Sequence, residues 1–179
     1  SRISVVTGGT RGIGAATAMT LKDRGDTVAS VYGYNEERAA AFTAETGIAS
    51  YKWDVSDFDA CLTGIASVEA DLGPVDILIN NAGIADPRGV CPEQYDSETF
   101  NNILAVDLVG AFYYARECGR RMLERRSGSI VNICSIMASG GNENNVIGYT
   151  AAKGGLLNLT YQLGVEWADR GVRVNAVSP

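Results

Sequence analysis

Residues 7–14 read TGGTRGIG, and four of these eight positions are glycine. Glycine disfavours helix, yet AATAMTLKDRG at 15–25 has the composition of a helix and follows directly. The apolar run ISVVT at 3–7 precedes the glycines and is typical of a buried strand. In this order of strand, glycine-rich turn and helix, the turn has few side chains, so a phosphate can approach the backbone. The helix N-terminus then stabilises the charge of the phosphate. The stretch therefore predicts a site for the pyrophosphate of a dinucleotide, with a purely structural glycine turn as the alternative.

The rest of the chain alternates short apolar runs with amphipathic segments. The predicted strands are 3–7, 27–32, 48–55, 75–80, 129–135 and 172–178. The predicted helices run from the glycine turn to about Arg24, over 35–47, over about 57–72 with Asp57 as N-cap, over 97–126 with Ser97 as N-cap, and over 149–171. Right-handed crossovers between six such strands predict an α/β fold, a doubly wound parallel sheet with strand order 3-2-1-4-5-6 and helices on both faces. Residues 84–96 are predicted to form a loop over the carboxyl edge of this sheet.

Length and composition limit the classes of function. A chain of 179 residues is expected to form one domain, over 1–179, with a full core. Its net charge of −6 and its lack of a Lys or Arg run argue against a nucleic-acid partner. We expect no membrane role and a cytoplasmic location, because no signal peptide or membrane-spanning apolar run is evident. The four cysteines form no C-x-x-C pair and the chain has no His, so free thiols and no metal site are expected.

Three further motifs accompany the glycine stretch T-G-x-x-x-G-x-G at 7–14. NNAG occupies 80–83 at the end of the fourth predicted strand, Ser135 ends the fifth, and Y-x-x-x-K opens the next helix at 149–153. The run RVNAVSP at 173–179, which overlaps the sixth predicted strand, is a further point of resemblance. In this order and on these elements, the motifs resemble the short-chain dehydrogenase/reductase family over essentially the whole chain.

That resemblance implies a Rossmann-type fold and an enzyme that transfers a hydride between a nicotinamide cofactor and a carbonyl or alcohol substrate. It also implies a homo-oligomer, because members of the family form tetramers. Relatives continue beyond the position of Pro179 into a substrate-covering loop and a seventh strand, which this sequence is expected to lack.

The acid–base chemistry is expected to come from the Y-x-x-x-K motif. Tyr149 and Lys153 lie one helical turn apart on the same face. A phenol titrates near pH 10 in water, and a nearby ammonium favours its ionised form, which suits proton transfer at neutral pH. An isolated motif of this kind would instead indicate a surface pair. By resemblance, Lys153 also holds the nicotinamide ribose, and Ser135 binds the substrate oxygen, with Ser129 or Ser139 as alternatives.

Asp107, in AVDLVGAF at 105–112, stands where the family often has Asn. That Asn supports a water-linked proton relay to the lysine, so the resemblance implies that Asp107 is a catalytic relay element. Its charge beside Lys153 could also oppose the effect of the lysine on the tyrosine.

The cofactor-binding residues implied by the resemblance come from the glycine stretch, the ends of the second and third strands, the NNAG motif and the catalytic pair. They are Thr7, Gly8, Thr10, Arg11, Gly12, Ile13, Gly14, Tyr32, Asp54, Val55, Asn81, Ala82, Gly83, Tyr149 and Lys153. In NAD enzymes of this fold, a carboxylate at the end of the second strand binds the ribose 2′-hydroxyl. Tyr32 stands there instead, and Arg11 is placed to pair with a 2′-phosphate. NADP(H) is therefore expected in preference to NAD(H).

The two halves of the chain suggest different substrates. VVTGGTRGIG at 5–14 and VDILINNAGI at 75–84 resemble the branch that reduces 3-oxoacyl thioesters such as acetoacetyl-CoA, which is the favoured substrate class. SIVNICSIMASGG at 129–141 and YTAAKGG at 149–155 resemble polyol and sugar-alcohol dehydrogenases, the first alternative. A non-catalytic dinucleotide-binding module is the second alternative, which the serine, tyrosine and lysine argue against because such a module needs only the glycines.

Overall fold

A computed structural model describes residues 1–87, 90–141 and 143–179. Residues 88 and 89, in the predicted loop over 84–96, lie outside the described residues. The strands are β1 (Ile3–Thr7), β2 (Thr27–Tyr32), β3 (Ala49–Lys52), β4 (Val75–Asn80), β5 (Gly128–Ile133) and β6 (Val172–Val177). The α-helices are α1 (Gly12–Asp23), α2 (Glu36–Thr46), α3 (Phe58–Leu72), α4 (Ser97–Leu104), α5 (Ala111–Arg125) and α6 (Ile147–Trp167).

All six strands are parallel and lie in the order β3-β2-β1-β4-β5-β6, as the sequence predicts. The strands are apolar along most of their length because helices cover both faces of the sheet. On one face, residues such as Val5 pack with α3 and α5, whose Tyr114 is fully buried. On the other face, residues such as Val6 pack with α1 and α2, where Phe42 is buried. Within the described ranges, no helix is long and apolar enough to cross a membrane.

The helix predicted over 97–126 is not α-helical along its whole length. A π-helical segment, Ala105–Gly110, separates α4 from α5. Two contacts accompany this widened turn: the side-chain amide of Asn80 donates to the carbonyl of Ala111 at 3.0 Å, and Gly110 packs so closely on the carbonyl of Val55 that a Cβ would lie 2.6 Å from it. The long helix predicted over this stretch is thus helical throughout, but hydrophobic periodicity alone does not distinguish its π segment from an α-helix.

Several predicted boundaries also move. The last helix begins at Ile147 and ends at Trp167 instead of spanning 149–171, and the fifth strand ends at Ile133, before Ser135. Asp96, not Ser97, caps α4, because its carboxylate accepts from the backbone N–H of Thr99 at 2.7 Å. The third strand ends at Lys52 instead of at residue 55, so Asp54 lies beyond the end of the strand. The predicted N-cap of α3 is confirmed: the carboxylate of Asp57 accepts from the N–H of Ala60 at 3.0 Å.

Thr7 joins the glycine stretch to the end of β4. Its hydroxyl accepts from the backbone N–H groups of Asn81 at 2.9 Å and Ala82 at 3.0 Å. The side-chain amide of Asn81 donates back to the carbonyls of Thr7 at 2.9 Å and Gly8 at 3.2 Å. Gly14 fits behind this junction only because it lacks a Cβ, which would collide with the Gly8 carbonyl and the Asn81 amide. The two motifs at the central strands are therefore held together by side chains of the motifs themselves.

Replacing Thr7 by Val should lower the free energy of unfolding by about 3 kcal/mol, because two backbone N–H groups lose their acceptor while the side-chain shape is kept. Thr20→Val is the control, since the exposed hydroxyl of Thr20 donates to the Ala16 carbonyl of its own helix and, among the described residues, holds no backbone N–H from another element. Urea denaturation followed by circular dichroism measures the free energy of unfolding of both variants. Equal losses in the two variants would contradict the role assigned to Thr7.

Candidate active site

A cavity of about 520 Å³ opens at the carboxyl edge of the sheet, beyond the ends of β1 to β4. Most of the predicted cofactor-binding residues line it: Gly8, Thr10, Arg11, Gly12, Ile13, Tyr32, Asp54, Val55, Asn81, Ala82 and Gly83. Thr7 and Gly14 lie behind its wall, in the junction described above. Tyr149 and Lys153 lie on α6, outside this lining.

The start of α1 gives the cavity its anion-binding character. No side chain among the described residues caps α1, whose N-cap position is held by Arg11. Gly8 and Gly12 have φ angles of 63° and 52°, in the left-handed region that favours glycine. The turn therefore exposes the free N–H groups of the first helical turn to the cavity, where the helix dipole favours negative charge. These residues fit the pyrophosphate of a dinucleotide.

At the far side of the cavity, Asp54 is held by two neighbours. Its carboxylate accepts from the Ser56 backbone N–H at 2.9 Å, from the Ser56 hydroxyl at 2.7 Å and from the hydroxyl of Tyr34 at 3.0 Å. Burial raises the pKa of Asp54, but these hydrogen bonds outweigh it and lower that pKa overall. Asp54 is therefore an ionised acceptor. Tyr34, which also lines the cavity, was not predicted from the sequence.

Arg38 is a second cavity residue that the sequence analysis missed. Its guanidinium Nε donates to the carbonyl of Thr10 at 3.2 Å, which places the side chain between α2 and the glycine stretch. The signal was present in N-x-x-R at 35–38: Asn35 caps α2 by accepting from the Arg38 N–H at 2.8 Å, so Arg38 lies in the first turn, at the carboxyl edge. Arg38 and Arg11 are the two cations among the described residues that line the cavity.

Tyr149, Lys153 and Asp107 come together although they lie on two different elements. The ammonium of Lys153 lies 5.4 Å from the centroid of the Tyr149 ring. It donates to the carbonyl of Ile133 at 2.9 Å and lies 3.5 Å from the Asp107 carboxylate. Lys153 is 3% exposed and Asp107 1%, so the two charges face each other out of water.

Asp107 occupies the π-helical segment and points back towards the NNAG motif. Its second carboxylate oxygen accepts from the backbone N–H of Ile84 at 2.7 Å. Burial raises the pKa of Asp107, while the charge of Lys153 and the Ile84 hydrogen bond oppose that rise. Gly83 lies so close that a Cβ there would come within 2.7 Å of the carboxylate. The carboxylate thus contacts the lysine directly.

Ser135 lies two residues beyond Ile133, whose carbonyl holds the lysine. Its hydroxyl accepts from the backbone N–H of Met137 at 3.2 Å and caps a short 3₁₀ turn, Ile136–Ser139. The two alternatives are placed differently: Ser129 lies at the start of β5, opposite Ile77 of β4, and Ser139 is exposed at the end of the turn.

The short chain dehydrogenase family model matches residues 2–179. An acetoacetyl-CoA reductase of Rhizobium meliloti (strain 1021) is 48% identical over 179 residues, which are 100% of this chain and 73% of that protein. A gluconate 5-dehydrogenase of Gluconobacter oxydans (strain 621H) is 35% identical over 98% of this chain and 69% of that protein. A crystal structure of an actinorhodin polyketide ketoreductase variant with NADPH superimposes with a TM-score of 0.92 and 33% identity, covering 100% of this chain and 71% of that one.

Replacing Lys153 by Met should lower the free energy of unfolding by about 3–5 kcal/mol at pH 7, because it leaves the Asp107 carboxylate buried without its cation. A raised folded-state pKa means that ionising Asp107 opposes folding. This cost vanishes below the pKa of an unfolded Asp, about 3.9. It grows as the pH rises towards the pKa that Asp107 has in the folded protein. The deficit of the variant should therefore shrink as the pH falls from 7 to 5. Urea denaturation at pH 7 and at pH 5 measures the free energy of unfolding of the variant relative to wild type.

Adding Asp107→Asn to Lys153→Met should restore much of the lost stability, since no buried charge remains. Lys52→Met breaks the exposed ion pair with Glu36 and is the control, for which no pH-dependent deficit is expected. A deficit in Lys153→Met that is independent of pH and of the second substitution would show that packing, not charge, explains it.

Proposed function

Because the chain belongs to the short chain dehydrogenase family, a family of oxidoreductases, we propose that it reduces 3-oxoacyl thioesters such as acetoacetyl-CoA to their 3-hydroxy forms with NADP(H). The observation that carries this proposal is the grouping of Tyr149, Lys153 and Asp107 beside a cavity that fits a dinucleotide. The identity of 48% to an acetoacetyl-CoA reductase, against 35% to a gluconate 5-dehydrogenase, supports the thioester over a sugar acid.

Each catalytic side chain has a distinct task in this reaction. The chemistry that a nicotinamide cofactor would supply when bound is a hydride for the carbonyl carbon. The hydroxyl of Tyr149 donates a proton to the carbonyl oxygen, which Ser135 orients by a hydrogen bond. Lys153 stabilises the phenolate that forms on Tyr149, through a charge 5.4 Å from its ring. Asp107 holds the ammonium of Lys153 in place and belongs to the relay that returns the proton.

The cavity also supports NADP(H) as the cofactor. Arg11 and Arg38 both line it, and Tyr32 stands at the end of β2, where a carboxylate would repel a 2′-phosphate. A guanidinium pairs well with phosphate because its N–H groups match the oxygens in geometry and charge.

Exposed apolar side chains support a homo-oligomer, a tetramer in our proposal. Phe112 on α5 is 36% exposed and Val165 on α6 is 79% exposed. The helices that carry them pack against the sheet on their other side, and a second copy of the chain would remove these side chains from water.

NADPH oxidation with acetoacetyl-CoA, followed by absorbance in the purified full-length protein, tests the reaction. Tyr149→Phe should lower kcat about 1000-fold, since general acid catalysis contributes on the order of 10²–10⁴, while NADPH still binds. Tyr161→Phe, on an exposed position of the same helix, should keep wild-type activity.

Two other results would redirect the proposal. Turnover of sugar acids or polyols with oxidised cofactor, but not of acetoacetyl-CoA, would assign the chain to the alternative substrate class. NADPH binding without turnover of any carbonyl or alcohol would indicate a non-catalytic dinucleotide-binding module.

Replacing Arg38 by Ala tests the cofactor preference. The variant should have a KM for NADPH raised by about 10–100-fold, the equivalent of one charge-assisted hydrogen bond, with the KM for NADH unchanged. Arg24→Ala is the control because Arg24 ends α1 away from the cavity. Equal changes for NADPH and NADH in Arg38→Ala would contradict a role in binding the 2′-phosphate.

A further inference from the structure

The helix that carries Tyr149 and Lys153 begins without a cap of its own. Val146 holds the N-cap position of α6 and makes no side-chain cap hydrogen bond. The backbone N–H groups of Gly148 and Tyr149 donate instead to a carboxylate from a distant part of the chain, that of Asp86, each at 2.8 Å. Asp86 lies more than 60 positions earlier, in the segment after β4, and is buried. Its negative charge sits at the positive end of the helix dipole, where it stabilises the first turn.

The neighbours of Asp86 hold its carboxylate at the start of α6. The hydroxyl of Tyr95 donates to the same carboxylate at 2.6 Å, and the Tyr95 ring packs edge-on against Phe100. Burial, followed by the hydrogen bond to Asp86, raises the pKa of Tyr95, so its hydroxyl stays a donor. Gly148 makes room for both partners: a Cβ there would lie 3.1 Å from the Asp86 carboxylate, 3.2 Å from the Tyr95 hydroxyl and 3.0 Å from Ile103.

The segment Ile84–Asp86 connects the two ends of the catalytic group. At one end, the N–H of Ile84 donates to Asp107, which contacts Lys153. At the other end, Asp86 holds the backbone of Tyr149 itself. A short stretch of backbone therefore sets where the start of α6 stands relative to the π-helical segment.

We propose that Asp86 is a positioning residue for the reaction: it fixes the first turn of α6, and through it the Tyr149 hydroxyl, relative to Lys153 and Asp107. This inference rests on the proposed function. Asp86 does not line the cofactor cavity, so its removal should affect the proton-transfer step far more than the affinity for the cofactor. Misplacing a reacting group by about 1 Å lowers a rate by roughly 100-fold, which is the scale of effect expected when this carboxylate is removed.

Asp86→Ala tests the proposal, with Asp96→Ala as the matched control. Asp96 also caps a helix with its carboxylate, through the N–H of Thr99, but that helix is α4. We expect kcat to fall by about 10–100-fold in Asp86→Ala, with the Kd for NADPH within about twofold of wild type, and Asp96→Ala to keep its activity. Activity is expressed per NADPH-binding site, so that a smaller folded fraction is not counted as a loss of rate. Asp86→Asn keeps the side-chain volume and one acceptor oxygen, and should fall between wild type and Asp86→Ala.

Hydrogen exchange gives a second readout that needs no substrate. The amides of Gly148 and Tyr149 should exchange faster in Asp86→Ala than in wild type or Asp96→Ala, because their acceptor is gone. Wild-type exchange rates in Asp86→Ala, or a kcat within about twofold of wild type, would overturn the proposal. A rise in the Kd for NADPH that matches the fall in kcat would also overturn it.

Turnover is measured with whichever carbonyl or alcohol the wild-type protein accepts. If wild type turns over none of them, the proposed function fails, while unchanged exchange in Asp86→Ala would separately refute the cap. Faster exchange together with normal turnover would show that Asp86 caps the helix without positioning the catalytic group, and would reject the inference.

Discussion

The buried ion pair between Lys153 and Asp107 is the constraint to which the other elements of the site are fitted. Two charges removed from water are costly unless each finds its remaining hydrogen-bond partners. Here the ammonium also donates to the carbonyl of Ile133, at the end of β5, and the carboxylate also accepts from the N–H of Ile84, just after β4. The pair therefore needs α6, the π-helical segment and the carboxyl ends of two neighbouring strands in place together. The backbone groups that stabilise the two charges therefore also fix the position of Lys153 relative to Asp107.

The π-helical segment shows why this site could not be fully derived from the sequence. Apolar periodicity over 97–126 predicts a helix, but it carries no sign of the widened turn at 105–110 that holds Asp107. Two contacts at this turn come from residues far away in sequence, the amide of Asn80 and the carbonyl of Val55. Local patterns cannot report such contacts. By contrast, the six strands and their order follow from apolar runs separated by helices, because topology rules leave few arrangements for that alternation.

The site residues also divide into those that local sequence patterns indicate and those that depend on contacts between residues far apart in sequence. The glycine stretch and the Y-x-x-x-K motif could be proposed from the sequence because the chemistry expected of them depends on spacing within one turn or one helix face. Arg38 was missed although Asn35 marks the start of its helix, since its side chain reaches the cavity only by bonding to Thr10 across 28 positions. Asp86 was equally invisible: an aspartate in a loop looks like a solvated turn residue until the start of α6 is placed against it.

The aspartate at position 107 is better suited to this geometry than an asparagine would be. One oxygen of its side chain faces the N–H of Ile84, so an amide at this position would have to turn its own oxygen there. Its –NH₂ group would then point at the ammonium of Lys153, 3.5 Å away, and two donors would face each other in a buried site. An asparagine therefore requires an acceptor such as water between itself and the lysine. A carboxylate has an acceptor oxygen on each side: one accepts from the N–H of Ile84, and the other faces the ammonium of Lys153 at 3.5 Å. An aspartate at position 107 can therefore face the lysine directly as an ion pair.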